Sequence, residues 1–371
     1  MSERGSAALL LAVLLSTAPA AAEPAVTILD LPFKAKEMRG PGSEVATAVA
    51  TSGLLPLARP KASAADTVPP EDEEAPLAVV WGDEGGAALT LAEGQVRATL
   101  LGAEAIEGLA AAETPRGALP GSHRALSGPL SAYLTGPTRA SGDGAPAAAG
   151  LTIRERQPVA VSADPKPVPV STTTVPAGPD AVFTRERPRT IRIGGQTAIL
   201  ASTRQGTDAA SLVLVGRQGA APGAAWAVIA RTPPQPGGPL SIAGVADFAG
   251  AGQMQVATVA GTTLQLWSYA NGAFALAGER AGYAGGDGET ALAASLDIDR
   301  DGIPELALPS AERTSLAILA FKGGVAERAR AALSAPAGFG VAALGRGEAA
   351  RLLVGLADGR VAVVAPDGAK R

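Results

Sequence analysis

Two stretches of the chain superpose on one another at a fixed distance. Gly244-Val245-Ala246-Asp247-Phe248-Ala249-Gly250-Ala251-Gly252-Gln253-Met254-Gln255-Val256-Ala257 aligns with Ala294-Ser295-Leu296-Asp297-Ile298-Asp299-Arg300-Asp301-Gly302-Ile303-Pro304-Glu305-Leu306-Ala307. Asp247 pairs with Asp297, Gly252 with Gly302 and Val256 with Leu306, an offset of 297 − 247 = 50 residues. After a slip of two residues, Leu264, Leu266 and Tyr269 pair with Leu316, Ile318 and Phe321. Turns at Asn271-Gly272 and Lys322-Gly323-Gly324 follow in both copies. Each unit reads strand, loop, strand, turn, strand, turn, strand. Weaker copies run from Gly340 to Val364 and from Thr190 to Ile229.

A four-stranded unit of about 40 to 50 residues has the size of a β-propeller blade. Such a sheet cannot hide both of its faces alone, so units gain stability by packing face to face around an axis. Small residues such as Ala246, Ala257, Ala293 and Ala307 suit that packing. The expectation is an all-β propeller with about four blades in residues 190–371 and further strands from the N-terminal half. The alternative is an open β-sandwich with accidental internal similarity.

The second copy carries a distinct chemistry. Asp297, Asp299 and Asp301 recur at every second residue, Gly302 allows the backbone to reverse, and Glu305 follows. Calcium takes 6–8 oxygen ligands, and acids at positions 1, 3 and 5 of a tight loop can fold onto one ion. The carbonyl of Ile303 adds a ligand at position 7 and Glu305 closes the set at position 9. Position 12 is Leu308 rather than the bidentate Glu of an EF-hand, so this is a different loop. One Ca2+ is expected, in a structural role. Ala249, Ala251 and Gln255 replace the acids in the first copy, so no second ion is expected there. The alternative is an acidic surface turn without an ion.

On these residues the chain resembles the bacterial exported FG-GAP/VCBS repeat proteins. Leu296 to Ser310 matches their D-x-D-x-D-G-x-x-[DE] loop, and Ala243 to Phe248 looks like an eroded copy. Leu353-Val354-Gly355-Leu356-Ala357-Asp358-Gly359 looks like their usual final blade, and Asp180 to Phe183 like the start of the propeller. The resemblance covers residues 180–371 clearly and Tyr133 to Thr138 weakly. It implies an integrin-like propeller and a calcium loop between blade strands, without implying one activity.

The remaining organisation follows from composition. Residues 1–22 read as a signal peptide: Arg4, an apolar run from Ala7 to Leu15, then small residues permitting cleavage after Ala22. That run is too short to span a bilayer, which needs about 20 residues, so the mature chain is expected in the periplasm or outside the cell. Residues 23–75 read as a Pro-, Ala- and acid-rich linker, partly disordered, with Pro69 to Glu74 as solvated chain. Residues 76–181 read as an irregular region containing a strand at Leu77 to Trp81, a short helix at Ala103 to Ala112 and an extended stretch after Lys166. Propeller repeats occupy 182–371.

Composition also excludes function classes. The net charge of −4 offers no footprint for nucleic acid. With no cysteine and one histidine, thiol catalysis, disulfides and multi-histidine metal sites are excluded. His123, flanked by Pro120 and Gly121, reads as a solvated loop histidine. Arg185-Glu186-Arg187-Pro188-Arg189 reads as a solvated edge before the first repeat, with anion binding as the lesser alternative. No nucleophile elbow, P-loop or dinucleotide fingerprint appears. The reading is a non-catalytic binding or scaffold protein whose partner is an unknown protein or glycan. The alternative is a hydrolase or lyase acting on polysaccharide with carboxylates in the propeller channel.

Overall fold

The computed structural model describes residues 23–52, 77–140, 144–157, 168–207, 209–219 and 223–366. The apolar run at Ala7 to Leu15, the expected cleavage after Ala22 and the acidic run Pro69 to Glu74 lie outside the described residues.

The chain opens with β1 (Ala25–Leu29) and then enters a meander of β2 (Glu37–Arg39), β3 (Leu77–Gly82), β4 (Gly85–Ala92) and β5 (Gln95–Leu101). Two helices belong to this region, α1 (Glu44–Thr51) and α2 (Ala103–Ala111). A second meander follows: β6 (Ala125–Ser127), β7 (Leu130–Thr138), β8 (Ala147–Arg156) and β9 (Val170–Pro176). The short β10 (Ala181–Phe183) staples it to the next, pairing with β8 at Phe183 opposite Ala148. On its other side β10 pairs with β12 of the meander β11 (Arg189–Ile193), β12 (Gln196–Gln205), β13 (Ala209–Arg217) and β14 (Trp226–Arg231). These nine strands form one continuous sheet.

Two four-stranded meanders contain the fifty-residue repeat. One is β15 (Leu240–Ala246), β16 (Gln255–Ala260), β17 (Thr263–Ala270) and β18 (Ala273–Ala281). The other is β19 (Ala294–Leu296), β20 (Glu305–Pro309), β21 (Ser315–Ala320) and β22 (Ala326–Ala332). The last sheet is β23 (Ala337–Leu344), β24 (Arg351–Leu356) and β25 (Val361–Ala365), completed by β1. Here Ala25 lies opposite Ala365 and Leu29 opposite Val361, antiparallel.

Burial falls from the middle of each sheet to its outer edge. β3, β16, β20 and β25 are buried along their whole length, whereas β5, β18 and β22 are largely exposed. Inner strands are covered on both faces by neighbouring sheets, which explains their continuous apolar runs such as Leu77-Ala78-Val79-Val80. Leu264 and Leu308 share one apolar cluster, between the two repeat sheets. Ile318 and Val354 share the next, and Leu353 and Leu89 the one after that. Leu214 with Trp267 joins the nine-stranded sheet to the first repeat sheet, and Ile153 with Val213 packs the two meanders of the nine-stranded sheet together.

The first sheet departs from this pattern on one face. Val79 and Trp81 pack there against Val45 and Val49 of α1 and Ile106 of α2. Ser43 caps α1, its hydroxyl accepting the Ala46 N–H at 3.1 Å, while Val45, Ala46 and Val49 provide the buried stripe. Polar bridges also span this seam: Arg39 of β2 to Glu113, and Glu44 of α1 to Arg124.

Within the stretch read as a linker, β1, β2 and α1 are therefore ordered elements of sheets and seam. The Pro and Ala content concealed a strand whose partner lies more than three hundred residues away, a pairing that local composition cannot register. The stretch 76–181, read as irregular, supplies the second meander and three strands of the first, and α2 covers the helix expected from Ala103.

Candidate functional site

The acidic loop joins β19 to β20. Its carboxylates first organise its own backbone. Asp297 Oδ2 accepts from Gly302 N–H at 3.1 Å, Asp299 Oδ1 from Asp301 N–H at 3.3 Å and Asp301 Oδ1 from Ile303 N–H at 2.8 Å. Glu305 Oε2 accepts from Ile298 N–H at 3.1 Å. Gly302 sits at φ 82°, a left-handed conformation that glycine adopts without a Cβ penalty. The adjoining loop of the last sheet rests on the acidic one, Gly347 N–H donating to Asp297 O at 2.8 Å.

Three of the five expected ligands converge. Asp297, Asp299 and Glu305 each present an oxygen within 4.8 Å of the others. The Asp301 carboxylate instead turns to the Ile303 N–H and does not join that group. Two features of the loop bear on a cation. Asp297 Oδ1 is buried without a hydrogen-bond partner. Arg328 of β22 reaches the cluster, its Nη1 donating to Asp299 Oδ2 at 2.8 Å and to Glu305 Oε1. The hydrogen bond from Arg328 holds the Asp299 carboxyl below its ordinary range, while burial pushes Glu305 above it. A set of hard carboxylate oxygens with one orphaned and buried fits a hard divalent cation such as Ca2+. Sequence reasoning missed Arg328, because nothing local links residue 328 to the loop; only the antiparallel return of β21 and β22 brings it there.

The eroded copy keeps the turn and loses the ligands. Asp247 accepts from Ala251 N–H at 2.9 Å and Gly252 N–H at 2.7 Å. Gln255 stands where Glu305 does, buried, and donates to Ser268 Oγ at 3.1 Å. A carboxylate that caps backbone N–H groups is useful without any ion, which accounts for its retention here.

A second candidate lies on the axis. The first strand of each meander faces a common cavity of about 880 Å³, touched by Arg39, Leu126, Thr190, Ile242, Ser295 and Ala342. Strands from both halves of the chain thus converge on one space.

His123 and, from the Arg185–Arg189 segment, Glu186 to Arg189 line this cavity, and neither stretch is solvated chain as the sequence suggested. His123 is buried, its Nε2 at 3.3 Å from Arg39 Nη2, and burial together with Arg39 lowers its pKa to about 4. Arg39 Nε in turn donates to Glu113 Oε2 at 2.9 Å. Glu186 is buried, its Oε1 accepting the Ile242 N–H at 3.0 Å. Burial raises its pKa to about 7 against the opposing pull of Arg189. The segment connects the staple strand β10 to β11, a first strand, and first strands face the axis; alternating charge in the sequence hid that route.

No known family's model matches the sequence, and no curated protein matches it. Solved structures do align with the chain. The β-propeller domain of Cps50 (Swd1) from Myceliophthora thermophila is 11% identical, over 78% of this chain and 93% of that one, with a TM-score of 0.41. A candidate 6-phosphogluconolactonase from Bacteroides fragilis is 12% identical, over 78% and 76%, at 0.41. AofleA from Arthrobotrys oligospora is 12% identical, over 77% of each chain, at 0.36. What makes the present chain propeller-like is its own construction: antiparallel meanders packed in succession, their first strands sharing one cavity.

Proposed function

We propose that this chain is an exported, non-catalytic binding protein built as a six-unit β-propeller with one calcium loop. The unit count takes the nine-stranded sheet as two meanders joined by β10, and the ring as spanning residues 25–365. The FG-GAP/VCBS resemblance rests on the acidic loop and its fifty-residue echo. The partner is a protein or glycan met at the propeller's central face, in the periplasm or outside the cell. Among the described residues, no helix is long and apolar enough to cross a membrane.

The observation that carries this reading is the state of the carboxylates around the axis. Glu113 is held by Arg39, Glu44 by Arg124 and Glu289 by Arg185. A hydrolytic pair needs two carboxyls facing substrate with separate protonation roles, and these three are each tied to a guanidinium. The raised pKa of Glu186 is the feature that favours the enzyme alternative, since a proton held near neutrality suits a general acid.

The test sets binding against turnover. The mature protein is applied to an immobilised panel of acidic and neutral glycans with calcium present. It is then incubated with each bound glycan, and new reducing or unsaturated ends are measured. Binding without new ends is expected. Release of ends that Glu186→Gln abolishes would establish the enzyme instead.

A further inference from the structure

The charged groups around the axial cavity are unevenly paired. Arg39 answers Glu113 and Glu37, Arg124 answers Glu44, and Arg185 answers Glu289. That leaves Arg187 and Arg189, of which Arg189 is the one that acts on Glu186. Arg189 Nη2 donates to Ile242 O at 3.1 Å, and its Nε is buried without a partner. Arg187 makes no hydrogen bond and no ion pair among the described residues. It lines the cavity, enclosed by protein on most sides yet in partial contact with solvent. That combination marks a group facing internal space rather than bulk water.

The surroundings of Arg187 make its isolation costly. Burial disfavours its charge, and Arg189 and Arg39 add repulsion, as the downward pull on its pKa records. Its opposing carboxylates, Glu113 and Glu44, already have arginines of their own. An enclosed guanidinium without a counterion is destabilising unless something negative meets it. Guanidinium groups bind planar oxyanions through two parallel N–H donors, which makes carboxylate and phosphate the matching chemistry. Ser241 and Ser295 line the same cavity. No Phe, Tyr or Trp lines it among the described residues, so the cavity lacks the broad stacking platform that suits a neutral sugar ring.

We propose that the axial cavity is an oxyanion-binding site centred on Arg187, taking a small ligand with a carboxylate or phosphate group. This rests on the reading of the chain as a binding protein and names the ligand chemistry of its central face. The cavity, at about 880 Å³, is within the range of small-molecule pockets and exceeds what a single phosphate fills. A monosaccharide acid has a suitable size and charge.

The mature full-length protein, in calcium, is titrated calorimetrically with D-glucuronate, inorganic phosphate and D-glucose. One or both oxyanions should bind and glucose should not; which oxyanion binds tells a sugar acid from a phosphate source. Arg187→Gln should weaken oxyanion binding at least tenfold. Arg187→Lys, which keeps the charge without the planar fork, should fall between. Melting gives an independent readout: without ligand, Arg187→Gln should melt no lower than the parent, because it removes an uncompensated charge. Oxyanions should raise the melting temperature of the parent alone. Equal binding of glucose, oxyanion binding indifferent to Arg187, or no oxyanion binding would each overturn the site. Turnover of a bound uronide would overturn the non-catalytic reading while leaving the site standing. Glycan capture that ignores charge would do the reverse.

Discussion

Glu186 and His123 face the same cavity and respond to pH in opposite senses. Burial lifts Glu186 to about 7, so between the ordinary carboxyl value and about 7 the folded chain keeps a proton the unfolded chain has lost. Its contribution to stability is full below the ordinary value and is lost as pH rises through about 7. Glu186→Gln keeps an acceptor for the Ile242 N–H and removes the ionisation. It should be more stable than the parent at pH 8.5, by about 3 kcal/mol, and equal to it near pH 3.5; denaturant melts at both values check this. His123 behaves conversely. Its folded pKa of about 4 lies below the ordinary value of 6.5, so its contribution is present above 6.5 and is lost as pH falls toward 4. A His123→Gln chain should therefore lose less stability than the parent between those pH values. At the acidic loop, Ca2+ at 100 times its dissociation constant should add about 2.7 kcal/mol, and Asp299→Ala should remove the gain. Arg328→Gln should lower stability in chelator and tighten Ca2+ binding, because the arginine and the ion compete for Asp299 and Glu305. Identical melting curves in calcium and in chelator would leave Arg328 as the loop's sole counter-charge.

Among the elements, the closing strand and the glycine-backed aromatics carry the clearest consequences. Phe339 of β23 lies over Gly355 of β24, where an added Cβ would fall 2.4 Å from the ring. Gly355→Ala should cost about 1–3 kcal/mol by overpacking, seen as a lower denaturation midpoint with an unchanged slope. Removing residues 23–30 strips β1 from β25 and leaves an open sheet edge; the shortened protein should melt lower and self-associate in sedimentation. The repeated meanders were legible in the sequence because β15–β18 and β19–β22 preserve strand spacing and the Asp-to-Gly turn. The first two meanders were not, since α1, α2 and a long insertion between β2 and β3 break the period. At the loop, Asp297, Asp299 and Glu305 were readable from spacing alone. Arg328 and the axial arginines were not, because their roles come from pairings between distant strands.

At the scale of the whole molecule, no sheet is self-sufficient. Each apolar cluster between sheets draws on two of them, and the last sheet contributes to two clusters, through Val354 and Leu353. A chain ending before Ala337 loses both clusters together with the partner of β1. It should show no cooperative melting transition; a sharp transition at the parent's temperature would show that the sheets stand alone. The pairing of β1 with β25 has a further consequence in time. The strand that completes the final sheet is made more than three hundred residues before its partner Val361–Ala365. Until that partner emerges, β1 has no strand to pair with, and the entropy of closing so long a loop must be met in one late step. The final sheet therefore reaches its full strand count only when these two distant segments meet.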